Sequence, residues 1–194
     1  AVNHANFTIN DGEIIGFLGP NGAGKSTTMN IITGFLSATS GTVSIDGYDI
    51  LNDPIKAKSR IGFLPEIPPL YVDMTVREYL DFVYDLKKTT LPRKPHLDEI
   101  VKLVKIDAVQ NRLIRNLSKG YRQRVGIAQA LIGNPDVLIL DEPTVGLDPQ
   151  QIIEIRTLIS KLGKNHTVIL SSHILSEIQA VCERIIIINQ GYII

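Results

Sequence analysis

The chain has 194 residues, 44% of them apolar and 21% charged, and its 20 basic side chains balance 20 acidic ones. That length and mix suit one globular domain with a sizeable core. Zero net charge argues against a nucleic-acid partner, which calls for a basic surface, and no apolar run approaches the ~18 residues a membrane-spanning helix needs. Cys182 is the only cysteine, so no internal disulfide can form and a reducing cytosol is the expected compartment. No signal peptide is legible at the front. A start at Ala1 without Met, and an end on the strand-like GYII, read as trimming at both ends.

In chain order, GEIIGFLG (12–19) is a short β-branched run ending at a turn, which predicts a strand. STTMNIITGF (26–35) has helical character. SGTVSIDGYDI (40–50) places a D-G pair between short strand-like runs, the pattern of an antiparallel hairpin. RIGFLP (60–65) predicts a second strand. TVREYLDFVYDLKK (75–88) puts Val76, Tyr79, Leu80 and Val83 on one helical face, with Thr75 and Glu78 as a capping box. LKKTTLPRKPH (86–96) reads as a basic, solvated loop. LSKGYRQR (117–124) reads as a helix start with Ser118 as cap. DVLILD (136–141), HTVILSS (166–172) and ERIIIIN (183–189) predict three more strands. Between them, QQIIEIRTLISKL (150–162) carries a stripe of Ile152, Ile155, Ile159 and Leu162.

Continuous apolar strands alternating with helices imply an α/β fold with a mostly parallel sheet, covered on both faces. The stretch after residue 65 breaks the rhythm, holding helices and prolines but no convincing strand. The expected organisation is a single domain over 1–194. Its core is about 1–65 and 135–194, with a helical insertion over about 66–134.

GPNGAGKST (19–27) fits G-x-x-x-x-G-K-[ST] between a strand and a helix, the context a phosphate-binding loop requires. Gly19, Gly22 and Gly24 let the backbone curl, so that N–H groups from Gly19, Pro20's neighbour Asn21, Gly22, Ala23, Gly24 and Thr27 can surround phosphate oxygens. Lys25 would reach the β- and γ-phosphates, and Ser26 would offer its hydroxyl to Mg²⁺. The carboxylate half of such a site belongs at a strand end. VLILDE supplies it, with Asp141 as the metal-side group and Glu142 placed differently by strand alternation, as general base for a water. His173 ends another strand at the same edge, within reach of a γ-phosphate. His4, His96 and His166 read as ordinary surface or loop residues.

Taken together, these motifs closely resemble the ATP-binding cassette family, the nucleotide-binding subunits of ABC transporters. GPNGAGKST resembles the Walker A motif, VLILDE Walker B with its catalytic glutamate, and LSKGY the signature, usually LSGGQ. VGLD (145–148) resembles the D-loop and His173 the switch histidine. LPE, LSKGYRQR and GLDP resemble the cassettes of drug-export, polysaccharide-export or gliding-motility type that pair with ABC-2-class permeases.

The resemblance implies a P-loop NTPase core with a small antiparallel part and a helical subdomain. It implies ATP and Mg²⁺ as ligands and peripheral attachment to the cytoplasmic face of the cell membrane through an integral-membrane permease. It also implies a second cassette, identical or not, packed head to tail, and no nucleic acid. Ser118 and Gly120 would then address the partner's ATP, and Asp148 would link the two sites. Glu66 stands where the family usually has the Q-loop glutamine, so the position carries over as a third Mg²⁺-side group. Lys119 and Tyr121 replace the usual Gly and Gln of the signature. The aromatic residue that stacks on adenine would lie upstream of Ala1. Two other classes compete with a transporter ATPase. One is a soluble mechanoenzyme acting on ribosomes or DNA, whose members carry two cassettes or a long coiled coil. The other is a non-catalytic nucleotide sensor, which would not need Lys25, Asp141, Glu142 and His173 together.

Overall fold

A computed structural model describes residues 2–194. Its main sheet has six strands: β1 (Ile14–Leu18), β4 (Ile61–Leu64), β5 (Val137–Leu140), β6 (Thr167–Ser172), β7 (Arg184–Asn189) and β8 (Tyr192–Ile193). They lie in the order β4-β5-β6-β1-β7-β8, parallel throughout except for β8. A separate antiparallel pair, β2 (Ser44–Ile45) and β3 (Tyr48–Asp49), forms the expected hairpin. Asp46 and Gly47, the two turn residues, both have positive φ (50° and 78°), which matches the strand twist in a two-residue turn.

Strand alternation divides the apolar residues between two faces. Ile14, Leu138, Leu140, Val168 and Leu170 join one cluster; Ile15, Phe17, Ile139 and Ile169 join the other. Helix α1 (Lys25–Ile32) and helix α2 (Pro54–Ser59), with the hairpin, cover the second face through Met29, Ile32, Ala57 and Ile45. The first face is covered by α3 (Val76–Leu86), α4 (Arg93–Leu103), α5 (Lys119–Leu131) and α6 (Pro149–Leu162), and α7 (Leu175–Gln179) adds Ile178 to that cluster. The expected α/β architecture with a mostly parallel sheet is therefore present.

The capping box of α3 is complete: Thr75 Oγ1 accepts from the Glu78 N–H, and Glu78 Oε2 accepts from the Thr75 N–H. Val76, Tyr79, Leu80 and Val83 are all buried. On α6, the expected Ile155, Ile159 and Leu162 are buried and Leu158 joins them, while Ile152 is only half-buried.

Three expectations need correction. The solvated loop is confined to residues 87–92, because α4 begins at Arg93 and includes His96. Pro95 is tolerated there because it lies in the first turn, where N–H groups have no intrahelical partner. His96 is on that helix, and its Nε2 accepts from the Gly133 N–H at 3.0 Å. His166 is buried, its Nδ1 2.7 Å from the Pro135 carbonyl oxygen, because it closes the turn from α6 into β6 against the loop before β5.

Helix α5 crosses β4 at two glycines. A Cβ on Gly126 would lie 2.6 Å from Leu64 Cδ1, and one on Gly62 only 2.2 Å from the Ala130 carbonyl oxygen. The second obstacle is backbone and cannot swing aside. Gly62→Ala should therefore cost about 1–3 kcal/mol, the usual range for overpacking, seen as a lower urea midpoint with an unchanged m-value.

Candidate functional site

Parallel strands bring their C-terminal ends to one edge of the sheet. The loops that follow β1, β4, β5 and β6 there carry residues 19–26, Glu66, Asp141 with Glu142, and His173.

The loop after β1 is shaped by its glycines. A Cβ at Gly19 would lie 2.2 Å from the Ile188 carbonyl oxygen, so the loop's entry passes flush against β7. Gly22 (φ 79°) and Gly24 (φ 113°) take conformations that side chains strain to adopt. The curl delivers the chain into α1, whose cap residue, Gly24, makes no side-chain cap bond. The first N–H groups of α1 are thus left for a ligand, at the positive end of the helix. Ser26 and Thr27 are half-buried in that first turn, while Pro20, Asn21 and Gly22 are exposed and Ala23 is buried.

Lys25 is 5% exposed. Its Nζ donates to the Gly19 and Pro20 carbonyl oxygens at 2.8 and 3.3 Å and lies 3.3 Å from Glu142 Oε1. The other carboxylate oxygen of Glu142, Oε2, is 3.1 Å from His173 Nδ1. Glu142 itself is 5% exposed. One carboxylate therefore joins the loop after β1 to the end of β6.

Asp141 and Glu142 diverge, but not by strand alternation. β5 ends at Leu140, and Glu142 has φ 47°, so a left-handed turn aims its side chain toward Lys25. Ser171 makes this turn possible. Its hydroxyl donates to Asp141 Oδ1 at 2.5 Å and accepts from the Glu142 N–H at 2.9 Å. Asp141 is 3% exposed, and its own N–H donates to the Leu64 carbonyl oxygen. Glu66 is exposed beyond the end of β4, and its carboxylate has no hydrogen-bond or ion-pair partner among the described residues. Buried Thr144, Ser172 and Glu177 also belong to this edge and were not singled out from sequence. Their signal is polar residues clustering at ends of apolar strands.

The starts of α5 and α6 form a second cluster. Ser118 is exposed, and its Oγ accepts from the Tyr121 N–H at 3.4 Å. Asp148 is exposed and caps α6, accepting from the Gln151 N–H at 2.9 Å. A Cβ on Gly120 would lie 2.7 Å from the Gln151 side chain, and one on Gly146 2.1 Å from Lys119 Nζ. No hydrogen bond or ion pair ties Ser118 or Gly120 to the loop at 19–26 among the described residues. The structure thus gathers Lys25, Asp141, Glu142 and His173 at one place, and Ser118, Gly120 and Asp148 at another.

A profile of the ABC transporter family matches residues 2–145. The chain belongs to that family, as an ATP-binding cassette. The cassette is 41% identical over 193 residues to the bacitracin transport ATP-binding protein BcrA of Bacillus licheniformis, covering 98% of this chain and 62% of that protein. It is 37% identical over 198 residues to the lipopolysaccharide export system ATP-binding protein LptB of Haemophilus influenzae, covering 100% of this chain and 82% of that protein. Among solved structures it matches the dimeric, post-hydrolysis ATP-binding cassette MJ0796 bound to ADP and Pi, with TM-score 0.88 and 29% identity, over 99% of this chain and 88% of that one. The cassette spans 62% and 63% of the length of the first two curated relatives it matches and 80% of a third.

Ser171 holds both acidic residues of the site. Ser171→Ala removes the donor to Asp141 and strands the buried Glu142 N–H. Stability should fall by about 1–3 kcal/mol, the cost of an unsatisfied buried group. Chemical denaturation checks this, and Ser171→Thr, which keeps the hydroxyl, should lose less.

Proposed function

We propose that the cassette binds ATP with Mg²⁺, hydrolyses it, and drives an integral-membrane permease as the peripheral ATPase subunit of an export-type ABC transporter. The observation that carries this is Glu142, held between Lys25 and His173 at the mouth of a glycine-curled loop. No helix among the described residues is long and apolar enough to cross a membrane. In this reading attachment is through the permease, at the cytoplasmic face.

The backbone of residues 19–24, with the start of α1, would cradle the phosphates, joined by Lys25, Ser26 and Thr27. Ser26, Asp141 and Glu66 would hold Mg²⁺. Their donors are all oxygens, the set a hard cation takes, and no three His, Cys, Asp or Glu side chains among the described residues form a cage of their own. That fits a metal shared with substrate phosphates, where Mg²⁺ would neutralise charge on the transferring group.

Glu142 and a γ-phosphate would compete for Lys25. A γ-phosphate that draws Lys25 leaves Glu142 Oε1 free to take a proton from water. The water oxygen then bonds to the γ-phosphorus as the bond to the β–γ bridging oxygen breaks, and the proton ends on Glu142. His173, against Oε2, keeps the carboxylate from rotating away. Such a base contributes typically 10²–10⁴-fold.

The second cluster supports a head-to-tail pair, in which Ser118 and the Gly120 backbone address the partner's nucleotide and Asp148 links the two sites. Neither Ser118 nor Gly120 bonds to its own phosphate loop, and the solved relative is described as a dimer with ADP and Pi. Two like subunits closing this way share two composite sites. The division into a core over 1–65 and 135–194 and a helical part over 66–134 completes the proposal, with the helical part as the element facing the permease.

Glu142→Gln should keep ATP binding and lower turnover by about 10²–10⁴. Wild-type turnover in that variant would overturn the base assignment. The dimer is tested by mixing two inactive variants, Lys25→Ala and Ser118→Arg. In a mixed pair both lesions fall in one composite site and the other is intact. About a quarter of wild-type hydrolysis should return with random pairing and independent sites. No recovery of hydrolysis or of ATP-dependent dimer would count against the head-to-tail arrangement.

A further inference from the structure

Glu177 has no role in the reading above, yet it is built into the site. It lies in α7, four residues beyond His173, and is 8% exposed. Its Oε2 accepts from Thr144 Oγ1 at 2.6 Å and from Ser172 Oγ at 3.0 Å. Thr144 follows Glu142 by two residues, and Ser172 immediately precedes His173. Both are buried. Ser172 Oγ also accepts from the Ile174 N–H at 3.1 Å, which closes the turn around His173. A single carboxylate oxygen thus receives one hydroxyl from each of the two loops that carry Glu142 and His173.

The anchor beneath it is tightly packed. The next residue, Ile178, is fully buried, and a Cβ on Gly16 of β1 would lie only 2.4 Å from Ile178 Cγ2. α7 is therefore pressed against the central strand, and Glu177 cannot follow if either loop drifts. Glu142, His173 and Glu177 line one cavity of about 200 Å³. A carboxylate serving α7 alone would have no use for the hydroxyl of Thr144, from a different loop. A buried carboxylate is costly unless hydrogen-bonded, so both hydroxyls are held firmly.

We propose that Glu177 is a positioning residue for hydrolysis: through Thr144 and Ser172 it fixes the spacing between Glu142 and His173. This rests on Glu142 acting as the base. It assigns to Glu177 the geometry of the catalytic pair, and no part in holding nucleotide.

The test uses the full chain and measures kcat, KM and equilibrium ATP binding. Glu177→Ala should lower kcat by about tenfold to a hundredfold, the scale of a small misplacement of reacting groups, with ATP binding and KM close to wild type. Glu177→Gln should recover most of that loss, because both hydroxyls converge on one oxygen and an amide oxygen can accept both. Adding Thr144→Val to Glu177→Ala should cost little more, since the two act through one link. Wild-type kcat in folded Glu177→Ala overturns the proposal. So does a loss confined to KM and binding, or a loss that glutamine does not restore. Should the alanine variant fail to fold, the pair Thr144→Val with Ser172→Ala carries the test: lowered kcat with intact ATP binding supports the link, and unchanged kcat overturns it. Glu142→Gln measured alongside separates the two readings. If it hydrolyses normally, the base assignment has failed; if it is inactive while Glu177→Ala is not, only the positioning role has.

Discussion

The contact between Lys25 and Glu142 is the point on which the candidate site turns. Both side chains are almost out of water. Removing two charges from solvent costs several kcal/mol per ion, and their attraction offsets this only when further hydrogen bonds complete each group. Here those bonds exist. Two carbonyl oxygens receive the lysine, and the His173 ring meets the glutamate. The pair joins the loop after β1 to the strap after β5, although β6 lies between those strands in the sheet. Its value is geometric: it sets how far the curled loop stands from the acidic strand end.

Much of this was legible in the sequence because it is local. The phosphate loop is read from glycine spacing, the strands from β-branched runs, the capping box of α3 from Thr75 and Glu78. Helix α4 was hidden because two prolines and four basic residues in the stretch from 86 to 96 look like a solvated connector, while a proline in a first helical turn breaks nothing. His166 was missed because its burial depends on the Pro135 carbonyl of a distant loop. The divergence of Asp141 and Glu142 was expected for the wrong reason. Alternation applies within a strand, but the strand stops one residue early and a left-handed turn takes over. Ser171, Thr144 and Glu177 illustrate the general limit. Each is a polar residue with several ordinary explanations, and only the assembled strand ends reveal which groups it must satisfy.

The departures in the signature stretch have a physical accommodation. Lys119 stands where the resemblance places a glycine, and its long side chain lies along the neighbouring loop, its ammonium against Gly146. Gly146 has φ 67°, so glycine is favoured there by conformation. Gly120 is buried, and a Cβ there would displace the end of the Gln151 side chain. Lower on the same helix, Arg124 donates to the Val104 carbonyl oxygen and pairs with Glu154 of α6. The starts of α5 and α6 are therefore braced as one body, and a displacement of either is felt at the other.

The strand order also has a bearing on how the cassette comes into being. β1 sits in the middle of the sheet, and Ile14 pairs with Val168 while Ile15 pairs with Arg184. Most of the chain lies between those partners. During synthesis the apolar run IIGFL emerges well before β6 and β7 and waits for them as neighbours. Non-local parallel pairing of this kind is slow, because the loop-closure entropy must be met before the contacts reward it. Until then an unpaired apolar strand is exposed to association with other chains. The phosphate loop packs against Ile188 of β7, which follows far later in the chain. Until β7 is made, a nascent chain would hold the complete loop sequence without the means to fold it.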